Sequence, residues 1–307
     1  MPLKIRYWGV RGSIAVPGPD TVLTGGNTPC ISLTLSDGAL LILDGGTGLR
    51  ALGRALMARP EFASGRGRAT FLFTHRHWDH IQGIPFFEPA YVPGNQFDVC
   101  ASDHVASGAP LLDNVVSLQH NMVNFPVPFD VVRRAYRFHG VHEGVPFDLP
   151  AARVLPVRLN HAGVTLGYVV TETATNARLA YLCDTAPWDD VLLGDGMDVE
   201  GRPDAVGRRQ RDLVVAAARD ADLVIHDTFF DDAGYQSRKT WGHSTPHHAL
   251  EFCRLASARR LHLFHFAPDL DDAAVARLAA ETAAEALASP GGIEVSAARE
   301  GMELTLP

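Results

Sequence analysis

The chain has 307 residues, 46% hydrophobic and 20% charged, with 28 Gly and 20 Pro. That is enough for one large core or two ordinary domains; it excludes a disordered chain, a coiled coil and a collagen-like repeat, and no uninterrupted apolar run reaches the roughly 18 residues of a membrane span. The 35 acidic and 27 basic side chains leave a formal charge of −8, so the expected partner is a small anionic substrate, and a long nucleic acid, which calls for a basic face, is disfavoured.

The opening Met1–Ser13 reads as strand at once, where a secretory leader needs a longer apolar run, so a cytoplasmic protein is expected. Lys4–Val10, Cys30–Ser36 and Ala39–Asp44 are short apolar or alternating runs between turn residues, and read as strands. Leu49, Leu52, Ala55 and Leu56 recur at helical spacing up to Arg59-Pro60, and a buried strand follows at Ala69–Thr74. Residues 86–150, rich in Pro, Phe and His, read as a substrate-side insertion with two short helices and a strand near Phe97–Ala101. Strands return at Ala152–Leu159, Leu166–Thr171, Arg178–Cys183, Leu223–His226 and Leu261–Phe266. Helices are expected at Leu213–Ala221, at Pro246–Ala256 behind an N-cap at Thr245, and at Asp271–Ala288. Ile293–Leu306 reads as a hairpin. Strands then helices occur twice, with no Ser- or Gly-rich linker, which predicts a single α/β domain over 1–307: a four-layer αββα sandwich.

Histidine is the common ligand of borderline metals, and there are 14. His75, His77, Asp79 and His80 fall within one short segment directly after a strand. In extended chain, side chains two apart point the same way, so His75 and His77 can grip one ion; Asp79 and His80, further round the turn, can reach a second. The four cysteines, at 30, 100, 183 and 253, form no CxxC pair and sit in apolar runs, so they read as core residues. Alternation along its strand points Cys183 away from whatever Asp184 faces.

Thr74–His80, T-H-R-H-W-D-H, resembles the signature of the metallo-β-lactamase superfamily. Asp44 in LILDGGTGLR, His161 in NHAGVTLGYVV, Asp184 in YLCDT and His265 in LFHFAP follow in the family's order, and His243 in GHST resembles the motif of its tRNase Z and cyclic-phosphodiesterase branch. The resemblance implies the αββα fold. It implies one metal on His75, His77 and His161, a second on Asp79, His80 and His265, and Asp184 with a water or hydroxide between them. The donor set of imidazoles and carboxylates suits Zn²⁺ first, with Mn²⁺ or Fe²⁺ as alternatives. Two dications, two Asp and a hydroxide leave about +1 at the site, which favours an anionic substrate. Relatives are often dimers, so a homodimer is allowed by analogy alone.

The catalytic side chains expected on this basis are His243, Asp79 and Asp184. His243 either protonates the leaving oxygen or merely covers the start of the following helix. Asp227 either orients His243 or a ligand imidazole, or simply ends its strand; Asp44 either braces the ligand loop from below or only shapes a turn. The Gly-rich turns GVRGS and GGN, the latter with Asn27, resemble phosphate cradles, but no helix follows at the spacing of a P-loop. His120, Met122, Phe125 and Phe129 read as core filling or as a surface on which a base stacks. The leading expectation is a binuclear metal-dependent phosphodiesterase acting on a small, cyclic or linear, phosphodiester. The alternatives are a tRNA 3′-processing endonuclease, a lactone or ester hydrolase, and a di-iron redox or sensor protein. The endonuclease is placed second because such enzymes hold tRNA with a basic arm, and Asp189–Arg209 carries six carboxylates.

Overall fold

The computed structural model describes residues 2–102, 114–120, 122–123, 125–192, 199–200, 205–288 and 291–307. The strands are β1 (Lys4–Gly9), β2 (Cys30–Thr34), β3 (Leu40–Leu43), β4 (Arg68–Leu72), β5 (Gln96–Ser102), β6 (Tyr136–Val141), β7 (Phe147–Leu149), β8 (Ala152–Arg158), β9 (Leu166–Glu172), β10 (Arg178–Leu182), β11 (Val191–Leu192), β12 (Val199–Glu200), β13 (Leu223–Asp227), β14 (Arg260–Phe264), β15 (Glu294–Ala297) and β16 (Glu303–Thr305). The helices are α1 (Gly48–Met57), α2 (Pro60–Ala63), α3 (Trp78–Ile81), α4 (Asn114–Ser117), α5 (Phe129–Val132), α6 (Ala205–Ala217), α7 (Asp232–Gln236), α8 (Pro246–Ala256) and α9 (Asp272–Leu287).

Two mixed sheets form an α/β sandwich. One runs β16-β1-β2-β3-β4-β5-β6, the other β15-β14-β13-β10-β9-β8-β7, and β11 pairs with β12 apart from both. The period of two along each strand sorts side chains between layers. Ile5, Tyr7, Ile31, Leu33, Leu41 and Leu43 point into the core shared with Tyr168, Val170, Leu179 and Tyr181 of the second sheet. Leu40, Ile42, Phe71, Phe97 and Val99 point the other way, onto Leu49, Leu52 and Leu56 of α1. The second sheet's parallel strands are buried on both faces, so β13 shows no alternation: all five of its residues are buried. Val214 of α6 and Leu250 and Cys253 of α8 cover its outer side.

Three expectations change. The C-terminal stretch is not a hairpin: β15 pairs in parallel with β14 and β16 antiparallel with β1, so the chain crosses from one sheet to the other. Helix α6 begins at Ala205, eight residues before the apolar periodicity, because its first two turns are largely solvated and carry Arg208 and Arg209. Residues 86–150 are not simply an insertion, since β5 and β6 are the last two strands of the first sheet and β7 opens the second. Thr245 caps α8 as expected, accepting from the His248 N–H. Among the described residues no helix is long and apolar enough to cross a membrane.

Candidate metal centre

The site lies where strands of both sheets end. Asp44 follows β3, Thr74–His80 follow β4, His161 follows β8, Asp184 follows β10, Asp227 ends β13 and His265 follows β14. Asp44, Asp184 and His265 have φ of 55°, 60° and 63°. This left-handed backbone is uncommon outside glycine and here turns the chain sharply as it leaves its strand.

Three groups of side chains meet at Asp184, one of them formed with Asp227, His243 and His265. One ligand atom from each of His75, His77, His161 and Asp184 lies within 4.8 Å of the others, and the same holds for His80, Cys183, Asp184 and His265. His77 Nδ1 and His161 Nε2 are 3.2 Å apart. His80 Nε2 and His265 Nε2 lie 3.1 and 3.2 Å from Asp184 Oδ1, and His265 Nε2 is 3.2 Å from Asp79 Oδ2. His75 Nε2 and His161 Nε2 lie 3.6 and 3.7 Å from Asp184 Oδ2. Ligand atoms on one tetrahedral Zn²⁺, with bonds of 2.0–2.1 Å, sit about 3.3 Å from each other, which is this spacing. His75 Nε2 and His80 Nε2 are buried and have no hydrogen-bond partner among the described residues. Buried polar atoms are rarely left so, and the residues present fit divalent ions.

Hydrogen bonds on the far ring nitrogens orient most of these imidazoles. His80 Nδ1 donates to Asp44 Oδ2 at 2.9 Å and His161 Nδ1 to the Gly242 carbonyl at 2.9 Å. Thr74 Oγ1 lies 3.0 Å from His75 Nδ1. Asp44 also accepts from the Thr74 N–H at 2.8 Å and from the Tyr181 hydroxyl at 2.8 Å, so this fully buried carboxylate is saturated with donors. In the second half, Asp227 accepts from His243 Nδ1 at 2.8 Å and from the N–H groups of Thr185 and Phe229 at 3.1 and 2.9 Å. The His243 ring stacks on Phe229, with centroids 4.4 Å apart, and stands 5.3 Å from both His161 and His265.

The electrostatics divide the site. Burial pushes His75 down and takes His161 down to about 4, leaving neutral imidazoles with lone pairs to give. Burial works against charge on His80 too, but Asp79, Asp184 and Asp44 outweigh it and raise its pKa. Burial would raise Asp79 and Asp184, yet the surrounding histidines hold both well below the usual carboxylate range. His243 is raised: burial opposes its charge, but Asp227, with Asp184 and Asp79 beyond it, prevails.

Alternation fails at Cys183. Because Asp184 is left-handed, the thiol does not turn away but donates to Asp184 Oδ1 at 3.1 Å, while its pKa is pushed well up, first by burial. His226 faces α8, its ring 5.5 Å from Phe252. His120 packs on Phe125, which packs on Phe86. Asn27 binds Glu300 and shapes its own turn. Thr74, Tyr181, Gly242 and Phe229 belong to the site and were not singled out from the sequence. Gly242 stands directly before His243 in GHST, so inspecting that motif would have found it; nothing local marks Tyr181, whose partner is Asp44.

Strand ends from two packed sheets converging on a histidine–aspartate cluster define a metal-dependent hydrolase of the αββα kind. Residues 41–200 match the family described as "Beta-lactamase superfamily domain", and the chain belongs to it. It is 28% identical over 293 residues to Ribonuclease Z of Gemmatimonas aurantiaca, covering 86% of each chain. It superposes on human tRNase Z, short form, with a TM-score of 0.59 at 21% identity over 99% of both chains. It superposes on yeast PDE1 with a TM-score of 0.66 at 14% identity, again over 99% of both. At these identities the two structures carry the fold alone.

The expectation that a long nucleic acid is disfavoured is overturned by relatives that carry the name Ribonuclease Z. Net charge is a sum over the whole surface, whereas binding is decided by the local field. Two of the acids of Asp189–Arg209, Asp189 and Asp190, are also partnered. Asp189 pairs with Arg211 at 2.6 Å, and Asp190 pairs with Lys239 at 3.0 Å and accepts from the Tyr235 hydroxyl at 2.9 Å. Residues 193–198 and 201–204 of that stretch, and His104, lie outside the described residues.

Proposed function

We propose that the protein is a metal-dependent phosphodiesterase of the ribonuclease Z kind, an endonuclease cutting at the 3′ side of tRNA precursors. The observation that carries this reading is the His243–Asp227 pair at 2.8 Å beside the histidine–aspartate cluster, taken with relatives named Ribonuclease Z that the chain matches over 86% of their length. A cluster alone fits any hydrolase of the fold. A histidine held by a buried carboxylate at its edge suits a reaction whose leaving alkoxide needs a proton.

In this reading His75, His77 and His161 hold one ion, Asp79, His80 and His265 the other, and Asp184 both; Zn²⁺ is the first choice, Mn²⁺ or Fe²⁺ the alternatives. Bound there, two divalent ions lower the pKa of a water and neutralise charge developing on the phosphoryl oxygens. Asp44 fixes the His80 ring so that Nε2 faces the centre. Asp227 fixes His243 through Nδ1, and His243 Nε2 carries the proton the leaving oxygen takes. Phe229 covers one face of that ring and keeps water from it.

The test is cleavage of a precursor tRNA carrying a 3′ trailer by protein supplied with Zn²⁺ or Mn²⁺, beside an Asp184→Ala variant. One metal-dependent cut by the wild type and none by the variant supports the reading. Turnover of bis(p-nitrophenyl) phosphate with the precursor left intact contradicts it.

A further inference from the structure

His265 differs from its neighbours. His75, His80 and His161 each have a polar partner at Nδ1, in Thr74, Asp44 and the Gly242 carbonyl. His265 Nδ1 is buried and has no hydrogen-bond partner among the described residues; Asp227 Oδ2 is 4.0 Å away. A ligand imidazole without an orienting hydrogen bond has to be aimed by packing. The packing comes from the loop after β1, the GVRGS turn. A Cβ built on Gly12 would stand 2.6 Å from His265 Cε1, 2.8 Å from Nδ1 and 2.7 Å from Phe229 Cε2. The bare Gly12 backbone therefore lies against the very edge of the ring that lacks a partner.

The same loop holds Asp79. The Ser13 N–H donates to Asp79 Oδ2 at 2.7 Å, with Ser13 in a left-handed conformation at φ 65°. The loop is in turn strapped to the segment that carries His265. The Gly12 N–H donates to the Phe266 carbonyl at 2.9 Å and the Phe266 N–H to the Val10 carbonyl at 3.1 Å. Arg11 locks it. Its side chain is wholly buried, Nε donates to the Gly25 carbonyl at 2.7 Å, and an Nη donates to the Leu270 carbonyl just before α9. A buried guanidinium is costly unless it is paired, and Asp271, Asp272 and Glu300 supply the opposing charge.

We propose that the Val10–Ser13 loop, locked by Arg11, positions His265 and Asp79, so that binding of the second ion depends on Gly12 and Arg11 while binding of the first does not. The proposal rests on the metal-centre reading above. Arg11 and Gly12 are positioning residues: neither reaches the centre except through His265 and Asp79. The loop resembled a phosphate cradle in sequence, yet its one amide aimed at the centre is taken by a carboxylate.

The experiment titrates metal-free, full-length protein with Co²⁺, following calorimetric stoichiometry and the visible spectrum. Wild type is expected to bind two ions. Gly12→Ala is expected to bind the first with wild-type affinity and the second about tenfold or more weakly. Arg11→Lys, which keeps the charge but loses the guanidinium fork, is expected to shift the second ion in the same direction and decides the matter if Gly12→Ala does not fold. Variants that bind both ions as the wild type does, or lose both by the same factor, overturn the proposal. A wild type that binds fewer than two ions overturns the metal-centre reading beneath it.

Discussion

Thr74–His80 brings His75, His77, Asp79 and His80 to the site from one loop and one helical turn, whereas His161, Asp184, His243 and His265 each leave a different strand end or loop. The first group is organised by local chain geometry and braced by one saturated carboxylate, Asp44. The second is gathered from separate strand ends and loops of the other sheet, and its carboxylate, Asp227, supports His243 and three backbone amides. In the proposed reading the compact group supplies His75, His77, Asp79 and His80 as ligands, and the dispersed group adds one histidine to each ion site, the shared aspartate and the proton donor. Dispersed residues also carry the most backbone strain, since Asp184 and His265 are both left-handed.

Substitutions can break this comparison. Asp184→Ala removes the one side chain common to both proposed ion sites and is expected to lower kcat/KM at least about a thousandfold for any phosphodiester, measured at saturating metal. His243→Ala is expected to cost about 10²- to 10⁴-fold on an RNA substrate and little on bis(p-nitrophenyl) phosphate, whose leaving group needs no proton. Equal losses on both substrates would end the proton-donor role. Asp44→Asn keeps the shape but weakens the brace of the compact half; metal affinity is expected to fall about 10- to 100-fold by calorimetry, whereas Asp227→Asn is expected to leave metal affinity near wild type and to lower kcat.

The smallest effect concerns stability and lies away from the site. His262 Nδ1 accepts from the buried Tyr7 hydroxyl at 2.6 Å across the core, and its pKa is pushed down to about 4, first by burial and then by Arg260. An unfolded histidine titrates near 6.5, so between about 6.5 and 4 the unfolded chain binds the extra proton. The stability from a neutral His262 is complete above that window and is lost as pH falls through it, by about 3 kcal/mol at most. Urea midpoints at pH 7 and pH 4.5 check this: the drop is expected to be smaller in His262→Gln.

How much could be read in the sequence follows the same division. The compact half was legible because its spacing is itself the geometry: three histidines and an aspartate after a buried strand leave few other arrangements. The dispersed half was reached through resemblance, since nothing in the local pattern joins His161 to His265. Period-two reasoning placed the longer strands of both sheets but missed β6, β7, β11 and β12, and it failed at Cys183, where one left-handed residue redirects the chain. It failed again at the C-terminus, where β15 and β16 look like a hairpin and join different sheets. Tyr181 was invisible as a site residue because its hydroxyl reaches Asp44 across the sandwich, a contact 137 positions apart in the chain. The acid count of Asp189–Arg209 misled for a related reason: it includes Asp189 and Asp190 and leaves out Arg211 and Lys239, which pair with them from outside the stretch.

The most direct measurement is anomalous scattering at the zinc edge from crystals grown with Zn²⁺. Two peaks are expected, one among His75, His77 and His161, the other among Asp79, His80 and His265, with Asp184 between them. A single peak, or peaks away from Asp184, would contradict a centre of two ion sites that share one carboxylate.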